Sequence, residues 1–352
     1  MKVNQIETPA LILDLDRMES NIATMQDLAR QNGIAMRPHY KSHKCPWIAQ
    51  RQIEAGAKGI TCAKLGEAED LIEAGFRDVL IANQITDRAK LARLAWLAHR
   101  CRLGVCVDEE KNIADLEQAA ALAGATIYCL IEYEVGMKRC GVETKEEFLR
   151  LAKKIKDCPH LTYDGIQAYA GNLAHMPGTT ARESASQAVD ARLEELIAYL
   201  KAQGMAPATV SGVSTGTAAF KQGGVYTEIQ AGSYVFMDGA YGAMDLGFQH
   251  ALFVLSEIIS RKKDRFVADA GLKSFGIDQG LPQLMEHRGA DTDMSEEHIR
   301  VMLPDHGYAV GDKLRFIPGH GCTTVNLYDR IYLFRGEDVI GLAEVVSRGK
   351  SR

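Results

Sequence analysis

The chain has 352 residues, of which 46% are hydrophobic, so it can form one large domain or two ordinary ones with a sizeable core. The 41 basic and 46 acidic side chains give a net charge of −5, which excludes the strongly basic surface that nucleic-acid binding requires. No apolar stretch approaches the roughly 20 residues that cross a membrane, and no signal-peptide core is present. The eight cysteines form no C-x-x-C pair, so we expect reduced thiols in a cytoplasmic protein.

Short apolar runs alternate with helical segments over the first two thirds of the chain. An opening strand at 10–14 precedes a helix that we expect to be capped by Asp16, to run to Asn32 and to be ended by Gly33. Eight strands are then predicted at 34–41, 59–63, 79–82, 102–107, 126–131, 163–169, 208–212 and 228–231. Helices are predicted between them at 46–56, 65–74, 87–99, 109–123, 144–157 and 181–203.

This alternation of strands and helices is typical of a parallel barrel. Eight strands favour a (β/α)8 TIM-type barrel over residues 15–244. An open doubly wound sheet gives a similar pattern, but no G-x-G-x-x-G follows an early strand. Near residue 245 the pattern changes to strands at 250–261, 264–270, 313–317, 330–334 and 339–346, separated by Gly, Pro and Asp turns. We therefore predict an all-β C-terminal domain at 245–352, joined by residues 1–14.

A lysine is predicted at the carboxyl end of the first barrel strand. Catalytic groups of such barrels cluster at these strand ends, and the amine of Lys41 could form an imine with a carbonyl compound there. The alternative is an ordinary surface lysine. His39 and His43 share the strand face with Lys41 if the strand continues that far. The basic cluster at residues 37–44 suits an anionic ligand.

Two turns of small residues follow the seventh and eighth predicted strands. Ser211, Gly212, Ser214 and Thr215 lie in the first turn, and Gly232, Ser233 and Tyr234 lie in the second. Small residues let backbone N–H groups approach an anion, and barrels often bind phosphate after these two strands, beside a short extra helix. Residues 217–221 are predicted to form that helix. Glycine turns are common, so either turn alone is weak support.

Further polar residues follow the fifth and sixth predicted strands. Arg139 suits a phenolate or carboxylate partner, although a loop arginine in a surface ion pair is the simpler interpretation. Gln167 and Tyr169 alternate along one strand and therefore point the same way, so Tyr169 could stand against a flat ring or simply fill the barrel.

His320 and Cys322 are separated by one residue near the end of the chain. On an extended segment both side chains point to one face, and an imidazole with a thiolate suits zinc or a similar ion. Two ligands leave open positions for water and substrate. The alternative is a turn histidine beside a buried thiol.

Together, the motifs at residues 8–11, 37–44 and 318–327 resemble those of the D-threonine aldolase / D-serine dehydratase family, pyridoxal-phosphate (PLP) enzymes of the alanine racemase-like fold. The resemblance implies that Lys41 binds PLP covalently and that Arg139 lies near the phenolic oxygen of PLP. It implies phosphate binding by the two small-residue turns. It also implies a divalent metal, zinc or manganese, on His320 and Cys322, and a homodimer. The family often has Gly-His where this chain has Gly171-Asn172.

The resemblance also implies a small-molecule D-amino acid substrate with a β-hydroxyl group. The family's dehydratases carry H-x-C and its aldolases carry an aspartate at the second ligand, so Cys322 favours dehydration of D-serine or 3-hydroxyaspartate to a keto acid and ammonia. The alternative is D-threonine aldolase-type cleavage to glycine and an aldehyde. An amino acid racemase would need a second acid/base, for which Tyr308 or Tyr328 could serve. A non-catalytic PLP carrier would need neither the β-domain nor the H-x-C pair.

Overall fold

The computed structural model describes residues 1–352. Its strands are β1 (Ala10–Asp14), β2 (Ala35–Met36), β3 (Ile60–Cys62), β4 (Asp78–Gln84), β5 (Arg102–Val107), β6 (Ile127–Glu132), β7 (Leu161–Ala168), β8 (Thr209–Gly212), β9 (Glu228–Ile229), β10 (Leu252–Arg261), β11 (Arg265–Ala268), β12 (Gln283–Leu284), β13 (Asp291–Met294), β14 (Ile299–Met302), β15 (Lys313–Ile317), β16 (Arg330–Arg335) and β17 (Asp338–Glu344). Its α-helices are α1 (Leu15–Gln31), α2 (Pro46–Glu54), α3 (Leu65–Glu73), α4 (Arg88–Leu97), α5 (Glu110–Ala123), α6 (Lys145–Lys156), α7 (Thr179–Ala202), α8 (Gly239–Gly242) and α9 (Gly321–Val325). None of these helices combines the length and the apolar character that a membrane crossing demands.

The chain forms two compact units. The barrel unit comprises Gln26–Lys41, Ala49–Gly232 and Lys350–Arg352. The β-rich unit comprises Met1–Met25, Ser42–Ile48 and Ser233–Gly349. The domain boundaries at 14 and 244 inferred from the sequence stay predictions.

The barrel unit contains one parallel sheet of eight strands. Its order is β2-β9-β8-β7-β6-β5-β4-β3, so each strand from β3 to β9 neighbours the next strand in the chain. The sheet closes through backbone bonds from the Lys58 N–H to the Met36 carbonyl, at 2.8 Å, and from the Thr61 N–H to the Pro38 carbonyl, at 2.9 Å. This confirms the predicted (β/α)8 barrel.

Helix ends in both units follow local capping chemistry. Thr144 caps α6 by accepting a hydrogen bond from the Glu147 N–H, and Gly124 ends α5 with a left-handed φ of +67°. The predicted cap of α1 was wrong by two residues. Asp14, rather than Asp16, accepts from the Arg17 N–H at 3.2 Å, so the helix begins at Leu15.

The first barrel strand is shorter than the predicted 34–41. β2 ends at Met36, although the Arg37 N–H still donates to the carbonyl of Ile229, the last residue of β9, and the His39 N–H donates to the carbonyl of Ala231. Pro38 has no N–H to donate, and Tyr40–Ser42 forms a 3₁₀ turn. Lys41 therefore lies in a tight turn beyond the strand. Strand alternation does not reach His43, which belongs to the β-rich unit and packs against Phe236.

The β-rich unit is built around β1. This strand pairs antiparallel with β10 and parallel with β16, in a sheet of order β13-β14-β11-β10-β1-β16-β17 that β12 and β15 extend from β10. Ile12, Phe253 and Phe334 are almost fully buried in its core. The predicted pairing of residues 10–14 with the C-terminal strands is confirmed. The strands β12 to β14 were not predicted, because they are only two to four residues long and β13 is mostly polar.

A buried ion pair connects three strands of the barrel. The Arg37 guanidinium donates to Glu228 Oε2 at 2.8 Å and to Asp78 Oδ1 at 2.7 Å, and the side chains of Arg37 and Glu228 are 2% and 1% exposed. Lys58 Nζ donates to Glu228 Oε1 at 2.7 Å. Burial alone raises the pKa of Glu228, but the hydrogen bonds and charges of Arg37 and Lys58 outweigh it and lower this pKa to about 2.

We predict that Glu228→Gln lowers the free energy of unfolding by about 3 kcal/mol, because it leaves the buried guanidinium of Arg37 short of one charge partner. Urea denaturation at neutral pH measures the change. Glu73→Gln is the matched control, because Glu73 pairs with Arg100 at the surface and its loss should cost less than about 1 kcal/mol. Equal stability of the two variants would contradict this role for Glu228.

The same ion pair predicts an acid dependence of stability. The pKa of Glu228 is depressed in the folded state. Ionised Glu228 therefore adds to the free energy of unfolding at pH values above its ordinary pKa of 4.5, and this stabilisation is lost as the pH falls toward 2. The stability gap between the wild type and Glu228→Gln should therefore narrow over this acid range.

Candidate active site

The carboxyl ends of the barrel strands enclose a cavity of about 190 Å³. Five residues predicted to bind a cofactor line it together: His39, Lys41, Arg139, Gln167 and Tyr169. The structure therefore brings together residues that are up to 130 positions apart in the sequence, as expected from the strand-end rule for this class of barrel.

Three further polar residues line the cavity and were missed by sequence analysis. Asn83 and Gln84 end β4, and Gln230 follows β9. Each lies at the carboxyl end of a barrel strand, so the rule that located Lys41 would have found them if it had been applied to every strand. Larger grooves exist elsewhere in the barrel unit, such as the one of about 270 Å³ along α4 and α5, but they contain none of the predicted site residues.

Lys41 presents an amine to this cavity. Its Nζ lies 5.5 Å from the centroid of the Tyr169 ring, and no carboxylate forms an ion pair with it, whereas Lys58 and Lys221 are paired with Glu228 and Asp190. The backbone N–H of Lys41 donates to His39 Nδ1 at 3.3 Å, which holds the 3₁₀ turn. A lysine amine beside an aromatic ring, with no acidic partner, is suited to bind a planar carbonyl compound covalently.

The loop after β7 positions Tyr169. A Cβ added to Gly171 would lie 2.6 Å from Cε1 of Tyr169 and 3.0 Å from Sδ of Met137, so only glycine fits between them. Asn172, where the family often has histidine, donates its N–H to Met137 Sδ at 3.0 Å. Asn172 thus packs on the loop that precedes Arg139.

The loop after β6 presents Arg139. Glu134 Oε1 accepts from the N–H groups of Gly136 and Lys138, both at 2.7 Å, which shapes the turn. The guanidinium of Arg139 is half exposed and lies 3.6 Å from the buried carboxylate of Glu132. Burial raises the pKa of Glu132, although Gln84 and Arg139 act in the opposite direction. Arg139 therefore lines the cavity with a guanidinium that is paired with Glu132 on one side and half exposed, which leaves donors for an anionic group.

Gln167 is held by a reciprocal amide pair. Its Nε2 donates to Gln230 Oε1 at 3.1 Å, and Gln230 Nε2 donates to Gln167 Oε1 at 2.8 Å and to Ser211 Oγ at 2.9 Å. The hydroxyl of Ser211, which was predicted to bind the cofactor, therefore supports this amide pair. The three side chains thus form one hydrogen-bonded group at the bottom of the cavity, where Gln167 and Gln230 line it.

The predicted phosphate turn after β8 is tightly packed. A Cβ on Gly212 would lie 2.0 Å from the carbonyl oxygen of Ala168, and Val213 adopts a left-handed φ of +71°. The Ser214 N–H donates to Thr217 Oγ1 at 3.2 Å. A 3₁₀ helix follows at Ala218–Phe220, as predicted for 217–221. The turn and its buried hydroxyls, with Thr215 among them, are compatible with a phosphate group.

The second small-residue turn begins at Gly232. Ser233–Val235 forms a 3₁₀ helix in the β-rich unit, and the buried ring of Tyr234 packs against Phe248 with centroids 5.9 Å apart. Ser233 Oγ lies 3.9 Å from Cys322 Sγ. This predicted phosphate turn is therefore adjacent to one of the two predicted metal ligands.

His320 and Cys322 lie at the start of α9. His320 occupies the cap position and Cys322 the first turn of this helix, so the segment is not extended. Asp238 fixes this start by accepting from the Gly321 N–H at 2.9 Å. The two side chains nevertheless contact each other. Burial lowers the pKa of His320, but the hydrogen bond and charge of Cys322, followed by those of Asp278, raise it to about 9.

This pair suits an open metal site. No group of three or more His, Cys, Asp or Glu side chains with metal-binding geometry occurs in the chain, so His320 and Cys322 would be the protein's two donors. One imidazole and one thiolate match the preferences of zinc-like ions and leave coordination positions for water or substrate.

The two tyrosines that a racemase could use are both engaged in the β-rich unit. Tyr328 is buried and donates its hydroxyl to the Ser274 carbonyl at 3.0 Å, and burial raises its pKa well above the ordinary value. Tyr308 stacks on His306 with ring centroids 5.7 Å apart and meets Phe266 edge-on. These contacts weigh against the racemase alternative.

A parallel barrel with a lysine in its strand-end cavity, accompanied by a β-rich unit, defines an enzyme of the alanine racemase-like class. Residues 13–239 match the family described as alanine racemase, N-terminal domain, and residues 251–334 match the putative serine dehydratase domain. A D-threonine aldolase from Arthrobacter sp. is 39% identical over 99% of this chain and 94% of its own length. A 3-hydroxy-D-aspartate aldolase from Paracoccus denitrificans (strain Pd 1222) is also 39% identical, with the same coverage. The chain therefore belongs to the D-threonine aldolase / D-serine dehydratase family and is a PLP-dependent lyase.

Solved structures agree with this assignment. The D-threonine aldolase from Filomicrobium marinum superposes with a TM-score of 0.97 at 38% identity, covering 100% of this chain and 98% of that one. The D-threo-3-hydroxyaspartate dehydratase from Delftia sp. HT23 gives a TM-score of 0.88 at 26% identity, covering 97% and 98%. A variant of a D-threo-3-hydroxyaspartate dehydratase was solved in a metal-free form, which indicates that metal binding occurs among such relatives.

We predict that Lys41→Ala and Lys41→Arg both lose the visible absorbance band of bound PLP, because neither residue can form an imine with its aldehyde. Absorbance spectra after incubation with PLP and desalting measure this. Lys138→Ala, which changes a lysine in the neighbouring Arg139 loop without removing a cavity residue, is the control and should keep the band. A persistent band in both Lys41 variants would show that another lysine binds PLP.

Proposed function

We propose that this enzyme cleaves D-β-hydroxy amino acids by a PLP- and divalent metal-dependent retro-aldol reaction that yields glycine and an aldehyde. The observation that carries the proposal is the unpaired amine of Lys41 beside the Tyr169 ring in the strand-end cavity. The two aldolases that are 39% identical over nearly the whole chain support the reaction type.

The residues described above fit both groups. Lys41 would hold PLP covalently, with Arg139 near its phenolic oxygen, and the turns at 212–215 and 232–234 would bind its phosphate. His320 and Cys322 would hold the metal, whose identity we propose as zinc or manganese. Gln167 and its amide partner would support the ring from the cavity floor.

Catalysis then divides among a few side chains. Bound PLP supplies a sink for the electron pair released at Cα, and the metal supplies a Lewis acid toward the β-oxygen. With a substrate bound, the amine of Lys41 would be the group that moves a proton at Cα. In retro-aldol cleavage the β-hydroxyl would give its proton to water, the Cα–Cβ bond would break to release the aldehyde, and the Lys41 ammonium would donate a proton to Cα to give glycine. Tyr169, whose ring lies 5.5 Å from the Lys41 amine, would stand beside this position.

Dehydration is the second candidate function, and the H-x-C pair is the observation that favours it. In that reaction Lys41 would remove the α-proton and the β-hydroxyl would leave as water, after which hydrolysis gives a keto acid and ammonia. The D-threo-3-hydroxyaspartate dehydratase from Delftia sp. is 29% identical over 91% of this chain. Because this identity is lower than the 39% shared with the two aldolases, we rank dehydration second. Cys322 taken alone had favoured dehydration over aldol cleavage.

We predict that purified enzyme loaded with PLP and Mn²⁺ converts D-threonine to glycine and acetaldehyde in equal amounts, with little keto acid. D-serine and the D-isomers of 3-hydroxyaspartate, assayed in parallel for glycine, keto acid and ammonia, separate the two reactions. The L-isomers serve as controls. A keto acid and ammonia as main products from every substrate would favour the dehydratase instead, and no turnover of any D-β-hydroxy amino acid would overturn both candidates.

We predict that removal of the metal with a chelator stops turnover while PLP stays bound, because the lysine and the ion contribute separately to the reaction. Activity and the cofactor absorbance are measured before and after dialysis, and again after Zn²⁺ or Mn²⁺ is added back. His320→Ala should behave like the stripped protein and should not respond to added metal. Full activity of metal-free protein would remove His320 and Cys322 from the mechanism.

We also propose that the enzyme acts as a homodimer in the cytoplasm. The family resemblance supports the dimer, and the eight cysteines, all of them free thiols in the structure, suit a reducing compartment. Light scattering of the holoenzyme measures the mass directly.

A further inference from the structure

Asp278 lies in the segment between β11 and β12 and contacts the start of α9. Its Oδ2 is 2.7 Å from Nδ1 of His320, and its Oδ1 accepts a hydrogen bond from Thr323 Oγ1 at 2.8 Å. Both carboxylate oxygens are thus used on residues that flank Cys322. Nothing in the sequence pattern identified this residue, because it lies in an irregular loop 42 positions before His320.

The loop that carries Asp278 is fixed to the same helix by its backbone. The Gly276 N–H donates to Thr324 Oγ1 at 3.0 Å. A Cβ on Gly276 would lie 1.9 Å from Thr323 Oγ1, so the loop approaches the helix as closely as glycine permits. Thr324 Oγ1 in turn donates to the His320 carbonyl at 2.8 Å. Asp278 is therefore held in place by more than its own ion pair.

This contact determines which nitrogen of His320 is available. A carboxylate only accepts hydrogen bonds, so the ring must carry a proton on Nδ1 to bond Asp278. In the neutral imidazole, Nε2 then keeps its lone pair for a metal. Carboxylate partners on the far nitrogen of a ligating histidine orient the ring and raise its basicity.

We infer that Asp278 is a positioning residue for the metal site, which orients His320 and selects the tautomer that binds the ion through Nε2. The inference rests on the proposed function of His320 and Cys322. An ordinary surface ion pair is the competing explanation, because the Asp278 side chain is 53% exposed. Such a pair would affect metal binding little, whereas a positioning residue affects it strongly.

The test measures binding of Mn²⁺ and Co²⁺ to the PLP-loaded protein by titration calorimetry. Asp278→Leu, which has similar size but no acceptor, should weaken the affinity about 10- to 100-fold. Asp278→Asn retains an acceptor for Nδ1 and should rescue part of this loss. Thr323→Val removes the anchor of Asp278 and should weaken binding in the same direction. The bands of the Co²⁺-loaded protein, which report ligand geometry, should change in the leucine variant.

Glu297→Gln is the control, because Glu297 forms an exposed ion pair with Lys273 in the same unit and should leave metal affinity unchanged. The PLP absorbance should be unchanged in all variants, and thermal unfolding checks that each is folded. If the leucine variant does not fold, the asparagine and valine variants decide the question. Wild-type metal affinity in every folded variant at 278 and 323, with loss of binding in His320→Ala, would overturn the inference about Asp278 alone. Wild-type affinity in His320→Ala would instead overturn the proposed metal site.

Discussion

Arg37 bonds carboxylates from two other strands while its own side chain is closed to water, and the geometry of the cavity depends on this arrangement. Its guanidinium joins the end of β2 to the first residue of β9 and to the first residue of β4. Breaking such a buried pair is costly, because a charge would be left in a medium of low polarity. The three residues between Arg37 and Lys41 include Pro38 and the start of a 3₁₀ turn, so they have little freedom. The backbone that leads to Lys41 is thus fixed at one end by the buried ion pair and at the other by the bond from the Lys41 N–H to His39.

Close backbone contacts shape the remaining walls of the site. Gly171 fits between Tyr169 and Met137, Gly212 lies against the Ala168 carbonyl, and Gly276 lies against Thr323. Each glycine allows a polar loop to approach a neighbouring element where a larger residue would collide. The functional side chains therefore sit on loops that are held nearly as firmly as strands, which is the condition for oriented catalysis.

The sequence predicted most of the barrel and much of the site, and the exceptions have physical causes. Repeated strands and helices leave a strong hydrophobic period, and the strand-end rule then brought Lys41, Arg139 and Tyr169 together. The H-x-C pair was found by spacing, but its place at the start of α9 was not, because the bond from the Gly321 N–H to Asp238 joins residues far apart in the sequence. Asp278 and the polar strands of the β-rich unit were missed, since irregular loops and short edge strands leave no periodic pattern. The preference for dehydration rested on Cys322 alone, and similarity over the whole chain does not support it over cleavage.

Ser233 links two functions that are usually described separately. It follows Gly232 in the turn proposed to hold the phosphate, and its hydroxyl lies 3.9 Å from the Cys322 thiol. A shift of this turn on cofactor binding would change the contact between Ser233 and Cys322 and thereby the affinity for the metal. Such a coupling between two binding sites is thermodynamically reciprocal. If bound PLP changes the affinity for the ion by some factor, the bound ion changes the affinity for PLP by the same factor. Since Lys41 would hold PLP covalently, this coupling would show itself as a difference in metal affinity between the PLP-loaded and the PLP-free protein.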